Sequence, residues 1–334
     1  MFAPVYLKTV DTHAEGMPLR VVVEGLPPIP GASMVEKLEW AMQNLEWVRE
    51  LLVSEPRGHG PMMYAILTPP TRLEADYGVI YMSGGGFWPM CGHGTIGVVT
   101  MIVERGLVAT KEPETRVTLE TAVGLIATTV RVEGRKAVDV AFTNVPSFVL
   151  VDSARVHHAA VGDVAVSVAY GGNIYTMVDV EQLGMQLELK NLSTFIDMGL
   201  ALVQATRDQV PMPIPKGVDL GQLRSALFMQ APMGDRKARN LMVKEPRYAD
   251  RSPCGTGTSV RMALRHARGQ FGLNEPMVCE SIIGSRFEGR LLEATSVHGL
   301  PAVVPQIKGR AWIVGSAEFM VDPTDIFPRG FKYH

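Results

Sequence analysis

The chain has 334 residues, 46% of them hydrophobic and 20% charged, with a net charge of −2. That length favours two domains, and the composition supplies a sizeable core. The interspersed, near-neutral charge gives neither nucleic acid nor an anionic membrane anything to hold. The longest clean apolar run near the centre, IGVVTMIV, ends after eight residues at Glu104 and is too short to span a bilayer. The start, MFAPVYLKTVD, lacks the basic-then-apolar pattern of a signal peptide. A cytoplasmic protein is expected.

In chain order, LRVVVEG, PMMYAIL, YGVIYMS, RVTLETA, LIATTVRV, AVDVAF and AVSVAY read as strands, bounded by Gly, Pro and Asp. Between the first two, residues 33–52 place Met34, Leu38, Met42, Leu45, Val48 and Leu52 at three- and four-residue spacing, which predicts one amphipathic surface helix. A second helix is predicted over residues 193–210, STFIDMGLALVQATRDQV. Pro146, in FTNVPSFVLVD, breaks strand-like runs and marks the expected domain crossing.

An internal repeat organises the chain. MCGHGTIGVVTMIVERGLV (90–108) and PCGTGTSVRMALRHARGQF (253–271) share Cys-Gly-x-Gly-Thr, then a helical stretch, then Arg-Gly at 105–106 and 268–269. Glycine there is a helix stop, with arginine near the negative end of the dipole. The match continues from LETAVG (119–124) to CESIIG (279–284), with the offset shifting only from 163 to 160. Cys279 therefore answers to Leu119, an apolar strand residue, and is expected in the core. Three cysteines make no disulfide framework. Two of them, Cys91 and Cys254, open the paired helices.

A helix N-terminus leaves backbone N–H groups unpaired and favours negative charge, so a thiolate is stabilised there and a carboxylate can bind beside it. Two such helix starts pointing at one cleft give a carboxylate cradle with a thiol on each face of the ligand. Inverting an α-carbon needs that arrangement: one group removes a proton while the other delivers one, with oriented N–H dipoles stabilising the carbanion-like transition state. His93 in the first copy faces Thr256 in the second, and Asp250, four residues before Cys254, answers by spacing to Phe87. The histidine and the aspartate suit a substrate amine.

MCGHGTIG and DRSPCGTGTS closely resemble the two signatures of the proline racemase family, whose members include proline racemase, 4-hydroxyproline 2-epimerase and trans-3-hydroxyproline dehydratase. DTHAEGMPLRVV resembles the family's opening motif, with Met17 where many members have glutamate. YGGNIYTMVD (170–179) and GSAEFMVDPTDIFPRGF (315–331) extend the likeness over nearly the whole chain. The resemblance implies an α+β, diaminopimelate-epimerase-like fold of two pseudo-symmetric halves, each a curved, mainly antiparallel sheet around a central helix. Residues 1–146, joined by a tail at about 321–334, would form one half and 147–320 the other, with the active site in the cleft between.

By the same resemblance Cys91 and Cys254 are the catalytic acid/bases. Gly92, His93, Gly255 and Thr256 would hold the substrate carboxylate through backbone N–H groups, and Asp250, with the His93 side chain, the substrate nitrogen. No cofactor or metal is implied, and a homodimer is. The family's dehydratases typically replace one cysteine by serine or threonine, so the pair favours a racemase or epimerase of proline-type amino acids. CGHGTIG leans toward 4-hydroxyproline. Met62, Met63, Tyr81 and Phe87 are pocket-lining candidates for a pyrrolidine ring, or strand core.

Three rivals are weaker. The literal G-x-G-x-x-G at Gly92, Gly94 and Gly97 suggests a dinucleotide loop, but Val260 replaces the third glycine in the second copy and the chain lacks repeated βαβ units. Cys91, His93 and Cys254 lack the spacing of a structural zinc site. A non-enzymatic binding protein of the same fold would have no need of two thiols at helix starts.

Overall fold

A computed structural model describes residues 5–232, 237–322 and 324–331. The chain forms two compact units, residues 1–142 with 310–334 and residues 143–309.

In the first unit the described elements run β1 (Val5–Ala14), β2 (Met17–Glu24), α1 (Met34–Asn44), α2 (Glu46–Val53), β3 (Met63–Thr68), β4 (Tyr77–Ser83), β5 (Gly86–Trp88), α3 (Gly92–Glu104), β6 (Glu114–Thr121), β7 (Gly124–Glu133) and β8 (Lys136–Thr143). The second unit runs β9 (Ser147–His158), β10 (Gly162–Tyr170), β11 (Ile174–Asp179), α4 (Leu192–Gln209), β12 (Ser225–Gln230), β13 (Ala238–Lys244), β14 (Tyr248–Ala249), α5 (Gly255–Ala267), β15 (Met277–Glu280), β16 (Arg286–Val297) and β17 (Leu300–Gly309). The last strand, β18 (Ala311–Val321), pairs antiparallel with β1 and so completes the first unit.

The two units repeat the same pairing. β1–β2, β3–β4, β4–β5, β6–β7 and β7–β8 are antiparallel, while β2–β3 and β4–β6 are parallel. In the second unit β10–β11, β12–β13, β13–β14, β15–β16 and β16–β17 are antiparallel, with β11–β12 and β13–β15 parallel. A parallel pair needs a crossover connection, and here helices supply it. α1 and α2 bridge one parallel step in the first unit and α4 the matching step in the second. α3 and α5 bridge the other.

Tyr77 lies opposite Leu119 across the parallel step of the first unit, and Ala238 lies opposite Cys279 in the second. The sequence repeat therefore coincides with sheet register. Cys279 is fully buried in its strand, as its match to Leu119 requires, and burial raises its thiol pKa.

The helices sit on opposite faces of each sheet. In the first unit Tyr64, Ile66, Ile80 and Met82 pack with Val48, Leu51 and Leu52 under α1 and α2. The other face carries α3, where every residue from Gly92 to Val103 is buried. A helix buried all round must be apolar all round, which explains the run IGVVTMIV without a membrane. In the second unit Phe195, Leu202 and Val203 of α4 join Ala226, Phe228, Leu241 and Val243 in one core, and residues 255–264 of α5 are buried.

One predicted element divides. The single helix expected over 33–52 breaks at Leu45, whose backbone leaves the helical region at φ −115°, ψ 15°. Asn44, a weak helix former, turns its Nδ2 back onto the Trp40 carbonyl at 2.9 Å. The break rotates the apolar stripe: Leu45, Val48 and Leu52 stay buried, while Met42 is exposed. The strand-like runs, the second helix (as α4) and the two Cys-led helices form as predicted. Pro146 ends the connection into β9, and the boundary between the units lies at 142/143.

Candidate active site

Each cysteine is the N-cap residue of a thirteen-residue helix, and both are buried. Cys91 precedes α3 in an extended conformation, φ −148°, and is 7% exposed. Its Sγ lies 3.6 Å from Nδ1 and 3.7 Å from Nε2 of His93, itself buried. The first backbone bond within this helix runs from Thr95 N–H to the Cys91 carbonyl at 2.9 Å. The N–H groups of Gly92, His93 and Gly94 therefore come before any helical acceptor. The Thr95 hydroxyl donates to the same carbonyl at 2.9 Å, and the Tyr81 hydroxyl donates to Thr95 Oγ1 at 2.9 Å. Burial, with the Cys91 thiol nearby, pushes the Tyr81 pKa up, so its phenol stays neutral and keeps donating.

Cys254 is 2% exposed and caps α5 differently. Its backbone is left-handed, at φ 61°, and its Sγ accepts the Gly257 N–H at 3.2 Å. Thr258 N–H bonds the Cys254 carbonyl at 2.7 Å, so the Gly255 and Thr256 N–H groups precede the first helical acceptor. Tyr175 Oη stands 3.6 Å from Sγ and 2.6 Å from Thr256 Oγ1. Asp250 Oδ1 accepts both the N–H and the hydroxyl of Ser252 at 2.8 Å.

Electrostatics differ from the sequence expectation at this thiol. A helix start alone favours the thiolate, but burial and the adjacent Asp250 push the Cys254 pKa up to about 12, against smaller opposing effects of the Tyr175, Gly257 and Thr256 hydrogen bonds. Desolvation outweighs the helix end because the sulfur is shut away from water. Cys254 is therefore a neutral thiol near pH 7.

The glycines of the motif have distinct tasks. A Cβ on Gly94 would lie 3.0 Å from Cys91 Sγ and 2.7 Å from Tyr81 Cε1, and one on Gly257 would lie 2.9 Å from Cys254 Sγ. Both glycines make room for a thiol. Gly97 is a packing glycine, since its Cβ would come within 2.7 Å of Thr12 Oγ1 and 2.8 Å of Leu19 Cδ2. In the second unit the helix carries Val260 at that position, and the space is yielded by Gly171, whose Cβ would meet Val260 Cγ1 at 2.8 Å. The third glycine of G-x-G-x-x-G thus serves helix–sheet packing.

Within the first unit Cys91, Gly92 and His93 come together, and within the second Asp250, Cys254, Gly255 and Thr256 do. Sheet register revises one equivalence. Asp250 N–H bonds the Met242 carbonyl at 2.9 Å, the place that Trp88 holds opposite Tyr81. The structural counterpart of Asp250 is therefore Trp88, not Phe87, and the second copy has one extra residue before its cysteine. Of the pocket-lining candidates, Met62 and Phe87 belong to the layer under α1 and α2. Met63 and Tyr81 alternate to the α3 side of the sheet. Sequence reasoning missed Tyr175 and Ser252. Tyr175 lay in the quoted YGGNIYTMVD, but only the fold brings it to a residue 79 positions away.

The sheet order and the paired helices are those of the α+β, diaminopimelate-epimerase-like fold. Residues 9–332 match the family described as proline racemase, and the chain belongs to that family. It is 46% identical over 322 residues to a 4-hydroxyproline 2-epimerase of Streptosporangium roseum, covering 96% of this chain and 97% of that one. It is 36% identical over 330 residues to a proline racemase of Clostridioides difficile, covering 97% of each. A hydroxyproline epimerase from Agrobacterium vitis, solved with bound trans-4-hydroxy-L-proline, superposes with a TM-score of 0.92 at 32% identity, covering 98% of this chain and 95% of that one.

Proposed function

We propose that the protein inverts the α-carbon of 4-hydroxyproline, with Cys91 and Cys254 as the two acid/base groups and no metal or cofactor. The observation that carries the reading is the repeated Cys-Gly-x-Gly-Thr helix start, with a buried thiol at the head of the helix in each unit. The 46% identity to a 4-hydroxyproline 2-epimerase favours that substrate over proline. Cys91 and Cys254 belong to different units, and inversion by two bases would use one thiol on each face of the α-carbon.

The thiolate of Cys91 takes the α-proton, and the electron pair delocalises into the substrate carboxylate. The Cys254 thiol returns a proton to the opposite face. The enzyme is left with Cys91 protonated and Cys254 as thiolate, and proton exchange with solvent resets it. N–H groups of Gly92, His93, Gly255 and Thr256 hold the carboxylate while its negative charge grows. Asp250 and His93 hold the ring nitrogen. The high resting pKa of Cys254 suits its role as the first proton donor. Tyr175 and the Gly257 N–H then stabilise the thiolate formed there. A reducing cytoplasm, which keeps such thiols unpaired, and a homodimer complete the reading.

Chiral separation of products from trans-4-hydroxy-L-proline, L-proline and trans-3-hydroxy-L-proline, in reducing buffer, tests it. The C2 epimer of 4-hydroxyproline should form fastest. Dehydration of the 3-hydroxy substrate without epimerisation of the other two would overturn the proposal.

A further inference from the structure

The two thiol caps differ by one residue, and the second unit spends several buried polar side chains on the difference. Between the register-matched strand positions and the cysteine lie Pro89 and Met90 in the first unit, but Arg251, Ser252 and Pro253 in the second. Cys91 is extended, whereas Cys254 adopts φ 61°, a region that a residue with a side chain enters only when its surroundings hold it.

Three side chains do the holding. The Ser252 hydroxyl donates to Asp250 Oδ1 at 2.8 Å and accepts the Cys254 N–H at 3.2 Å, so one group fixes both the carboxylate and the cap. Asn240 Nδ2 donates to the Pro253 carbonyl at 3.2 Å and to Thr258 Oγ1 at 3.1 Å, one contact on each side of Cys254. Asn240 is itself oriented by Arg261, whose Nη1 donates to Asn240 Oδ1 at 2.8 Å. Arg261 also donates to the Arg239 and Gln230 carbonyls at 2.7 and 2.8 Å. Ser252 and Asn240 are fully buried, and Arg261 is 5% exposed.

The first unit builds the same positions from Val79, for Asn240, and Val98, for Arg261, both buried. The fold itself therefore asks only for apolar packing there. A buried guanidinium, hydrogen-bonded to neutral acceptors and within the field of the Asp179 and Glu181 carboxylates, is a costly substitute for valine. The unit that makes the substitution also carries the left-handed cysteine.

We propose that Ser252, Asn240 and Arg261 form a clamp that holds Cys254 in its left-handed conformation and so aims its thiol. They are positioning residues for the second proton-transfer group. This rests on the reading of Cys254 as an acid/base, and the test separates the two claims.

Asn240→Asp keeps the acceptor for Arg261 and removes the donor to Pro253 and Thr258. Ser252→Ala removes the hydroxyl, and Ser252→Thr restores it. For each variant, kcat and KM, the melting temperature, and the separate iodoacetamide alkylation rates of Cys91 and Cys254 by peptide mass spectrometry are measured. Misaiming one reacting group should lower kcat about tenfold or more in Asn240→Asp and Ser252→Ala; KM should move about twofold at most in Asn240→Asp, and further in Ser252→Ala, where Asp250 also loses a hydrogen bond. Cys254 alkylation should change and Cys91 alkylation should not, with Ser252→Thr close to the parent. Unchanged Cys254 alkylation and kcat in both variants would overturn the clamp. So would losses that follow the melting temperature and affect both thiols alike. If the parent does not epimerise, the reading of Cys254 fails, and the alkylation rates alone decide the clamp.

Discussion

The two units share strand pairing, helix length and a Cys-led helix start, yet surround their thiols with different chemistry. In the first, the thiol sits beside a histidine on an extended cap, over an apolar helix. In the second, it sits beside Tyr175, Thr256 and Asp250 on a left-handed cap, over a helix carrying a buried arginine. The shared features are a helix start suited to an anion, a glycine that clears space for sulfur, and a stop at Gly106 or Gly269. Even the stop is used alike. Arg105 reaches Ser316 on β18, and Arg268 binds Asp152 on β9 at 2.7 Å, each tying the helix end to the strand next to β1 or β10. The differences lie around the two thiols, to which the proposed mechanism gives unequal parts in a single turnover.

Changes at the thiols, the glycines and the tyrosines, with a pH series, sharpen this contrast. The largest effect should come from the thiols themselves. Cys91→Ser and Cys254→Ser should each cut epimerisation of 4-hydroxyproline by about 10³-fold, since each removes one acid/base, as polarimetry would read. Near-parent activity in either would reduce the pair to one working group. Next, Gly94→Ala and Gly257→Ala should both lower kcat, by about tenfold, because the new methyl displaces a sulfur. Gly97→Val should instead cost stability, about 1–3 kcal/mol by overpacking, seen as a lower urea midpoint.

The tyrosines should separate the units further. Tyr175→Phe should lower kcat about fivefold, the worth of one hydrogen bond, and slow Cys254 alkylation. Tyr81→Phe should do less, because Tyr81 bonds Thr95 and not the thiol. Equal effects would erase the distinction. The last effect is on stability against pH, and it is absent near neutrality. The Cys254 thiol titrates near 9 when unperturbed and near 12 in the fold. The fold thus favours the protonated form. That contribution is whole below pH 9 and is lost as pH rises toward 12. Urea unfolding at stepped pH should show this decline, and Cys254→Ser should flatten it.

What the sequence revealed was what local signals encode. Runs bounded by Gly, Pro and Asp marked the strands, and Gly106 and Gly269 marked the helix stops. The spacing of Cys91 from Cys254 exposed the repeat, which alone sorted Cys279 from the other two cysteines. Contacts between distant segments stayed hidden. Asn240 and Arg261 carry no local signal, since their partnership depends on register. The extra residue before Cys254 was invisible for the same reason: counting back from the cysteine aligns Asp250 with Phe87, and only the sheet shows it opposite Met242. The helix dipole predicted a low thiol pKa, but burial, which sequence does not display, reversed it at Cys254. The break at Leu45 escaped because the apolar spacing runs on across it.

The central claim is that one thiol acts on each face of the α-carbon. Epimerisation of trans-4-hydroxy-L-proline run in D2O to low conversion tests it directly, by mass spectrometry of substrate and product. Two groups on opposite faces predict product carrying one solvent deuterium at the α-carbon, while recovered substrate keeps its protium. Deuterium entering recovered substrate as fast as product would show a single group serving both faces and would contradict the account.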